Sequence, residues 1–389
     1  MKRVVLLIML PLILWSQPDF FGYFESEADI IQLGDQRYTF GYNKFRLDIE
    51  SRPSDNVLIG ANINAQKYWG KTTWNIFDFI PGYSNSGMEV NYALPDSMIL
   101  DNVYVKLSFP LIDLTLGRQQ ISPGVGYAWN PIDIFNHKSL MDPSYEQTGV
   151  EVIRMDIPIT SRTSFGAIIQ PEETFKSSTQ QYTLSSGVGG IDFALSASYQ
   201  KQQDMSSTIL GSPYIEERRL YGASLIGELF EWGIWTEFAQ NILEESVPVY
   251  SSSLVAPDID YSELVLGVDH TFDNSIYFLG EFLHNGFGIE KQEDLSLLDY
   301  FPALGGETHS LMQDYGFFYI MHPTFDYVSL SALSIANFND NSGTIAPQID
   351  WNVFEDTNLS IQSSFSWGDE DTEFGLQDWG LRLRLRSAF

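Results

Sequence analysis

The chain has 389 residues, 51 of them acidic and 21 basic, for a formal charge of −30. That excess argues against a nucleic-acid partner, whose phosphates would be repelled. Cysteine is absent, which excludes disulfides and thiolate metal sites.

Met1-Lys2-Arg3 followed by the apolar run Val4 to Trp15 reads as a secretory signal ending near Ser16. The run suits a signal core and is too short for a spanning helix. Residues 17–389 are expected to form one β-barrel domain, and no later apolar stretch is long enough for a membrane-spanning helix. Aromatic residues make up 14% of the chain and charged residues only 19%, as in barrels with aromatic girdles.

Period-two alternation recurs along the chain in segments near the length a tilted strand needs to cross a bilayer. In order they are 21–33, 36–50, 57–69, 98–109, 112–119, 148–157, 163–170, 179–186 and 190–200. The second half adds 217–229, 232–240, 261–271, 276–284, 314–321, 325–337, 343–353, 357–367 and 377–389. Every second connection is short: Arg52–Asn56, Pro110-Leu111, Pro158–Arg162, Gly187–Gly189, Phe230-Glu231, Phe272–Ser275, His322–Thr324 and Phe354–Asp356. The interleaved connections include the long ones, Gly70–Ser97, Gln120–Gln147, Lys201–Glu216, Asn241–Asp260 and Asn285–Gln313. Short and long connections alternating around an even-stranded ring predict an all-β, transmembrane, antiparallel up-and-down barrel of about eighteen strands, with periplasmic turns and extracellular loops.

The first strand puts Phe24, Ser26, Ala28 and Ile30 on one parity and Tyr23, Glu25, Glu27 and Asp29 on the other. In the second, Phe45, Leu47 and Ile49 alternate with Tyr42, Lys44, Arg46, Asp48 and Glu50. Glu237 shares parity with Trp235, and Glu281 with Leu279, so both should face the lumen and favour cations. Arg118 and Arg154, whose strands carry apolar residues at both parities, would attract anionic groups; for Arg118, which falls in phase with Leu114 and Leu116, a bulge or an early strand end must intervene. In the last strand Trp379, Leu381, Leu383, Leu385 and Phe389 share one parity and Arg382, Arg384 and Arg386 the other. An arginine on the lipid face at the midplane costs roughly 2–4 kcal/mol, so the three must point inward. Closure would then set Glu25, Glu27 and Asp29 against Arg386, Arg384 and Arg382, with Lys44 and Arg46 on the far side, as a ladder of opposite charges.

Gly117 to Phe135 is rich in Gly, Pro and aromatics, unlike a solvated loop, and should fold into the barrel and narrow it. Asn130-Pro131-Ile132-Asp133 has the form of a helix start. The five histidines have no metal-ligand spacing, the acidic run Asp369–Glu373 reads as solvated charge, and no nucleophile constellation stands out.

A final strand ending on a free Phe389 resembles the assembly signal of bacterial outer-membrane barrels. Gly117-Arg118-Gln119, Gly124, Asn130-Pro131, Asp133 and Phe135, with Glu281-Phe-Leu-His-Asn-Gly286, resemble the porin-like outer-membrane barrels of Gram-negative bacteria related to alginate-export and substrate-specific porins. The resemblance implies an 18-stranded channel constricted by the Gln120–Gln147 loop, with Arg118 near the eyelet. Residues expected to line the constriction are Arg118, Gln119, Tyr127, Asn130, Asp133, Arg154, Glu237 and Glu281. The function so implied is passive or substrate-guided diffusion of small hydrophilic solutes, anionic ones among them, without enzymatic activity, cofactor or metal. The alternative is a non-conducting barrel that serves as an enzyme, adhesin or structural protein. Expected partners are outer-membrane lipid, the barrel-assembly machinery through the last strand, and either no second copy or two more.

Overall fold

The computed structural model describes residues 18–83, 86–136, 146–204, 214–244, 260–300 and 310–389. The signal segment 1–16 and residues 137–145 of the inward loop lie outside them.

Strands β1 (Asp19–Leu33), β2 (Gln36–Ser54) and β3 (Val57–Gly70) open the wall, and β4 (Thr73–Asn75) pairs with β5 (Asn91–Ala93) in a separate small hairpin. The wall continues with β6 (Ser97–Phe109), β7 (Ile112–Gln119), β8 (Val150–Pro158), β9 (Thr163–Gln170) and β10 (Thr179–Val188). Next come β11 (Ile191–Asp204), β12 (Tyr214–Leu229), β13 (Trp232–Glu244), β14 (Tyr261–Thr271) and β15 (Tyr277–Asn285). β16 (Asp314–Phe325), β17 (Val328–Asn337), β18 (Ser342–Phe354), β19 (Thr357–Trp367) and β20 (Gln377–Ala388) complete it. Each wall strand pairs antiparallel with its neighbours in the chain, and β20 returns to β1, so 18 strands close a ring. Closure leaves no unpaired edge, the condition for placing backbone in hydrocarbon.

The burial pattern inverts that of a water-soluble domain. Phe24, Phe45, Leu184, Phe193, Leu266, Phe318, Phe365, Leu383 and Leu385 stand exposed on the outside. Glu25, Glu27, Asn62, Gln181, Glu237, Asn241, Glu263 and Glu281 are buried inside. So much apolar surface facing out is stable only against lipid, so the alternation spans a membrane. Among the described residues no helix is long and apolar enough to cross one.

Turns follow local chemistry. Phe230 and Glu231 both take positive φ, 52° and 68°, the two-residue geometry that matches strand twist although neither is glycine. The His322–Thr324 turn expected around Pro323 does not form: β16 runs on to Phe325, Pro323 sits at a register shift, and the chain turns at Asp326-Tyr327. An irregularity tolerates the missing proline donor. Asn130-Pro131 opens a single turn, with the Asp133 amide donating to the Asn130 carbonyl at 2.9 Å, and not a helix.

Candidate functional site

The seam between β20 and β1 carries the ladder. The register sets Glu25 opposite Arg386, Glu27 opposite Arg384 and Asp29 opposite Arg382. Their guanidinium Nε atoms donate at 2.6, 2.6 and 3.0 Å respectively. On β2, Lys44 lies opposite Glu25 and Arg46 opposite Tyr23, and Arg46 Nε donates to its strand neighbour Asp48 at 2.8 Å. Arg386 also stacks over Tyr23, 4.3 Å from the ring centroid. Glu25, Glu27 and Asp29 are almost wholly withdrawn from water. Carboxylates so placed need close cationic partners, because their desolvation would otherwise exceed any gain. At the end of the seam the Phe389 amide donates to the Gly22 carbonyl at 3.0 Å, and its ring stacks on Phe45 outside the barrel.

Glu237 and Glu281 do different work from that expected of charged pore walls. The Tyr127, Ala128 and Trp129 amides donate to the Glu281 carboxylate at 2.7, 2.9 and 2.8 Å, and the Trp235 indole donates at 2.7 Å. The Val125 and Ile132 amides donate to Glu237 at 2.8 and 2.7 Å. Both side chains are buried, Glu237 at 0% exposure, so they staple the inward loop to the far wall and present no open carboxylate to the lumen. A run of amides converging on one anion is a backbone nest. Gly124 makes the approach possible: its φ is +96°, and a Cβ there would lie 2.5 Å from a Glu237 oxygen.

The loop crosses the lumen from β7. The Gln181 and Gln200 amides donate to the Ile132 and Ile134 carbonyls at 2.9 and 3.2 Å. Trp129 and Ala128 join Phe77 and Ile80, from the segment after β4, and Leu311 and Met312, from the segment before β16. This cluster packs on inward-facing Trp235, Val265, Leu279, Leu283, Phe317, Leu333 and Ile335 of β13 to β17. The lumen therefore has two halves, one apolar and filled by loops, the other polar and charged. Along the polar half lie cavities of about 510 and 400 Å3. Arg46, Asp48 and Gln120 line both; Glu146 borders the first, and Tyr104, Lys106, Gln119 and Arg154 the second.

Arg154 faces this polar half and is bridged to Asp156 at 2.8 Å. Arg118 follows Gly117, whose φ of +115° breaks the alternation, and its Nε donates to the bulged Asp101 carbonyl at 2.7 Å. It anchors the base of the loop with Gly149, whose amide donates to the Asp101 carboxylate at 2.9 Å. Buried Asn130 donates to the Pro123 carbonyl, and Asp133 accepts from the Phe135 and Asn136 amides, so both shape the loop internally. Tyr127 is half exposed and tilted against Phe317. Gln119 is buried at the end of β7.

Two more residues belong here: Asp48, which parity alone places inward, and Glu146. Glu146 had no signal at all: its carboxylate accepts from Tyr23 Oη at 2.6 Å, Arg46 at 2.9 Å and Lys44 at 3.1 Å, with Arg386 at 3.3 Å. Burial pushes its pKa up, but the Tyr23 hydrogen bond and the Lys44 and Arg386 charges outweigh that and hold it below the usual carboxylate range. The acidic run Asp369–Glu373 is not all solvated: Glu373 folds inward to accept from Tyr315 Oη at 2.6 Å and Asn337 at 2.7 Å. Among the described residues no group of three or more His, Asp or Glu is placed to hold a metal.

No protein-family model and no curated protein matches the sequence. Solved structures do match in shape. OccAB3 of Acinetobacter baumannii is 9% identical, with a TM-score of 0.56 over 96% of this chain and 99% of that one. OccK11 (OpdR) of Pseudomonas aeruginosa is 8% identical, with a TM-score of 0.54 over 95% and 96%. The outer membrane protein OprD of Pseudomonas aeruginosa is 10% identical, with a TM-score of 0.53 over 96% and 94%. At these identities the likeness is one of fold: this chain has the architecture of an outer-membrane-type β-barrel.

Proposed function

We propose that the protein is an outer-membrane channel through which small hydrophilic solutes diffuse, guided where they carry a negative charge, and that it is not an enzyme. The observation that supports this reading best is the division of the lumen. The apolar loop cluster packs against the wall from β13 to β18, while the opposite wall keeps a row of ionic side chains beside open cavities. A solute moving along that row meets alternating donors and acceptors in place of its hydration shell, as selectivity in pores requires. Arg154, Lys106, Lys44 and Arg46 supply the positive field, each with a carboxylate at hand. With Glu237 and Glu281 committed to loop amides, they add little to the field felt by a passing ion.

The reading of a non-conducting barrel has its own support in the apolar cluster around Trp129, Ile80 and Met312, which closes part of the bore. Planar-bilayer recording separates the two. The purified protein should give stepwise conductance in potassium chloride; flat traces at every voltage and salt concentration would favour the closed barrel.

A further inference from the structure

Between the inward loop and the periplasmic mouth, the wall from β15 to β19 carries a second kind of polar surface. Register sets Tyr277, Met321, Ser331, Gln348 and Gln362 side by side across these strands and ends at Arg382 of the ladder. The first four share parity with buried Leu279, Phe317, Leu333 and Ala346, so they face the bore. Gln362 Nε2 donates to Gln348 Oε1 at 3.0 Å, and Gln348 Nε2 donates to Asp350 at 2.7 Å. Ser360 Oγ donates to the other Asp350 oxygen. At the far end Tyr277 and Tyr319 meet edge to face, ring centroids 6.3 Å apart, and Tyr277 Oη donates to Asp269 at 2.9 Å. Half-exposed Tyr127 joins them from the loop, within electrostatic reach of both. From Asp269 to Leu381 the one lysine or arginine is Lys291, in an extracellular loop. With two carboxylates and no cation of its own, this surface repels anions and leaves uncharged solutes free to approach.

Resting on the channel reading and deepening it, we infer that Tyr127, Tyr277, Tyr319, Gln348, Asp350 and Gln362 form a binding track for neutral sugars on the periplasmic side of the inward loop. A pyranose has a C–H face that packs on aromatic rings. Its neighbouring hydroxyls each donate and accept, so they match a carboxylate beside an amide. Each Asp350 oxygen has a second lone pair, so it takes a sugar hydroxyl without giving up Gln348 or Ser360. The two walls thus serve different cargo: the ionic row meets charged solutes, and this track meets uncharged, polyhydroxylated ones.

The test records potassium chloride current in planar bilayers with added cellobiose. Polyethylene glycol of similar size, which lacks neighbouring hydroxyls, is the control. Cellobiose should block the wild-type current saturably, whereas polyethylene glycol should lower it only in step with the conductivity of the solution. Tyr127→Ala removes one ring face and should raise the half-blocking concentration of cellobiose about fivefold. Asp350→Asn keeps the shape, exchanges a charged acceptor for a neutral one, and should raise it by about the same factor. Heat-modifiable migration on gels shows that each variant is folded. A conducting wild type that treats cellobiose and polyethylene glycol alike, or a block unchanged in both variants, overturns the track and leaves the channel standing. A folded wild type that passes no current overturns the channel reading, and the track with it.

Discussion

Glu281 sets four hydrogen-bond donors around one carboxylate in the barrel interior. Glutamine there would turn an amide group toward donors that need an acceptor, leaving some of them unsatisfied. Glu281→Gln should lower stability by roughly 2–3 kcal/mol, read from urea unfolding in detergent at constant micelle concentration; a loss under half a kcal/mol would show that the loop is held by its apolar contacts alone. Gly124 makes a similar point on the backbone. Alanine at its φ of +96°, with Cβ against Glu237, should cost roughly 1–3 kcal/mol. Neither relation could be read in the sequence. Glu237 and Glu281 stood out by parity, but their partners are amides more than a hundred positions away, and a backbone donor has no residue type to announce it. Glu146 had still less to mark it, a lone acid in a loop whose cationic partners sit on two distant strands.

Strands were legible because a lipid outside and a wet inside enforce a period of two on every wall segment. The seam register followed too, because only one alignment of Glu25, Glu27 and Asp29 with Arg386, Arg384 and Arg382 brings each acid to a base. Where alternation fails, so did the reading: Pro323 suggested a turn that the chain postpones, and Asn130-Pro131 suggested a helix where a packed turn lies. Two predictions belong to this scale. Arg384→Met leaves Glu27 without its closest partner inside the wall, and should destabilise the barrel by roughly 3 kcal/mol; Arg384→Met combined with Glu27→Leu should recover most of that loss. At the Phe230-Glu231 turn, Glu231→Gly relieves a left-handed residue and should raise stability by roughly 0.5–1 kcal/mol in the same unfolding assay.

As a whole the molecule divides its bore between a loop-filled apolar side and an ionic side, and pH should act on the filling. Burial pushes the pKa of Glu373 up to about 7, against the lowering effect of its hydrogen bonds from Tyr315 and Asn337. A carboxyl raised in the folded state binds its proton more tightly there than in the unfolded chain. The resulting stabilisation is complete below the ordinary carboxyl range and is lost as pH rises through about 7. Amides of 369–375 should therefore exchange more slowly at pH 5.5 than at pH 8 after correction for intrinsic rates, and Glu373→Gln should flatten the difference. Equal protection at both values in wild type would show that the loop does not sense this proton.

The central claim is that the β20–β1–β2 face borders a continuous water path while its alternate residues face lipid. The native chain has no cysteine, so single introduced thiols report position directly. Single-channel current should fall when Asp48→Cys is treated with a charged, membrane-impermeant thiosulfonate and stay constant for Leu383→Cys. A current indifferent to modification at Asp48→Cys, or one that responds at Leu383→Cys, would contradict the account.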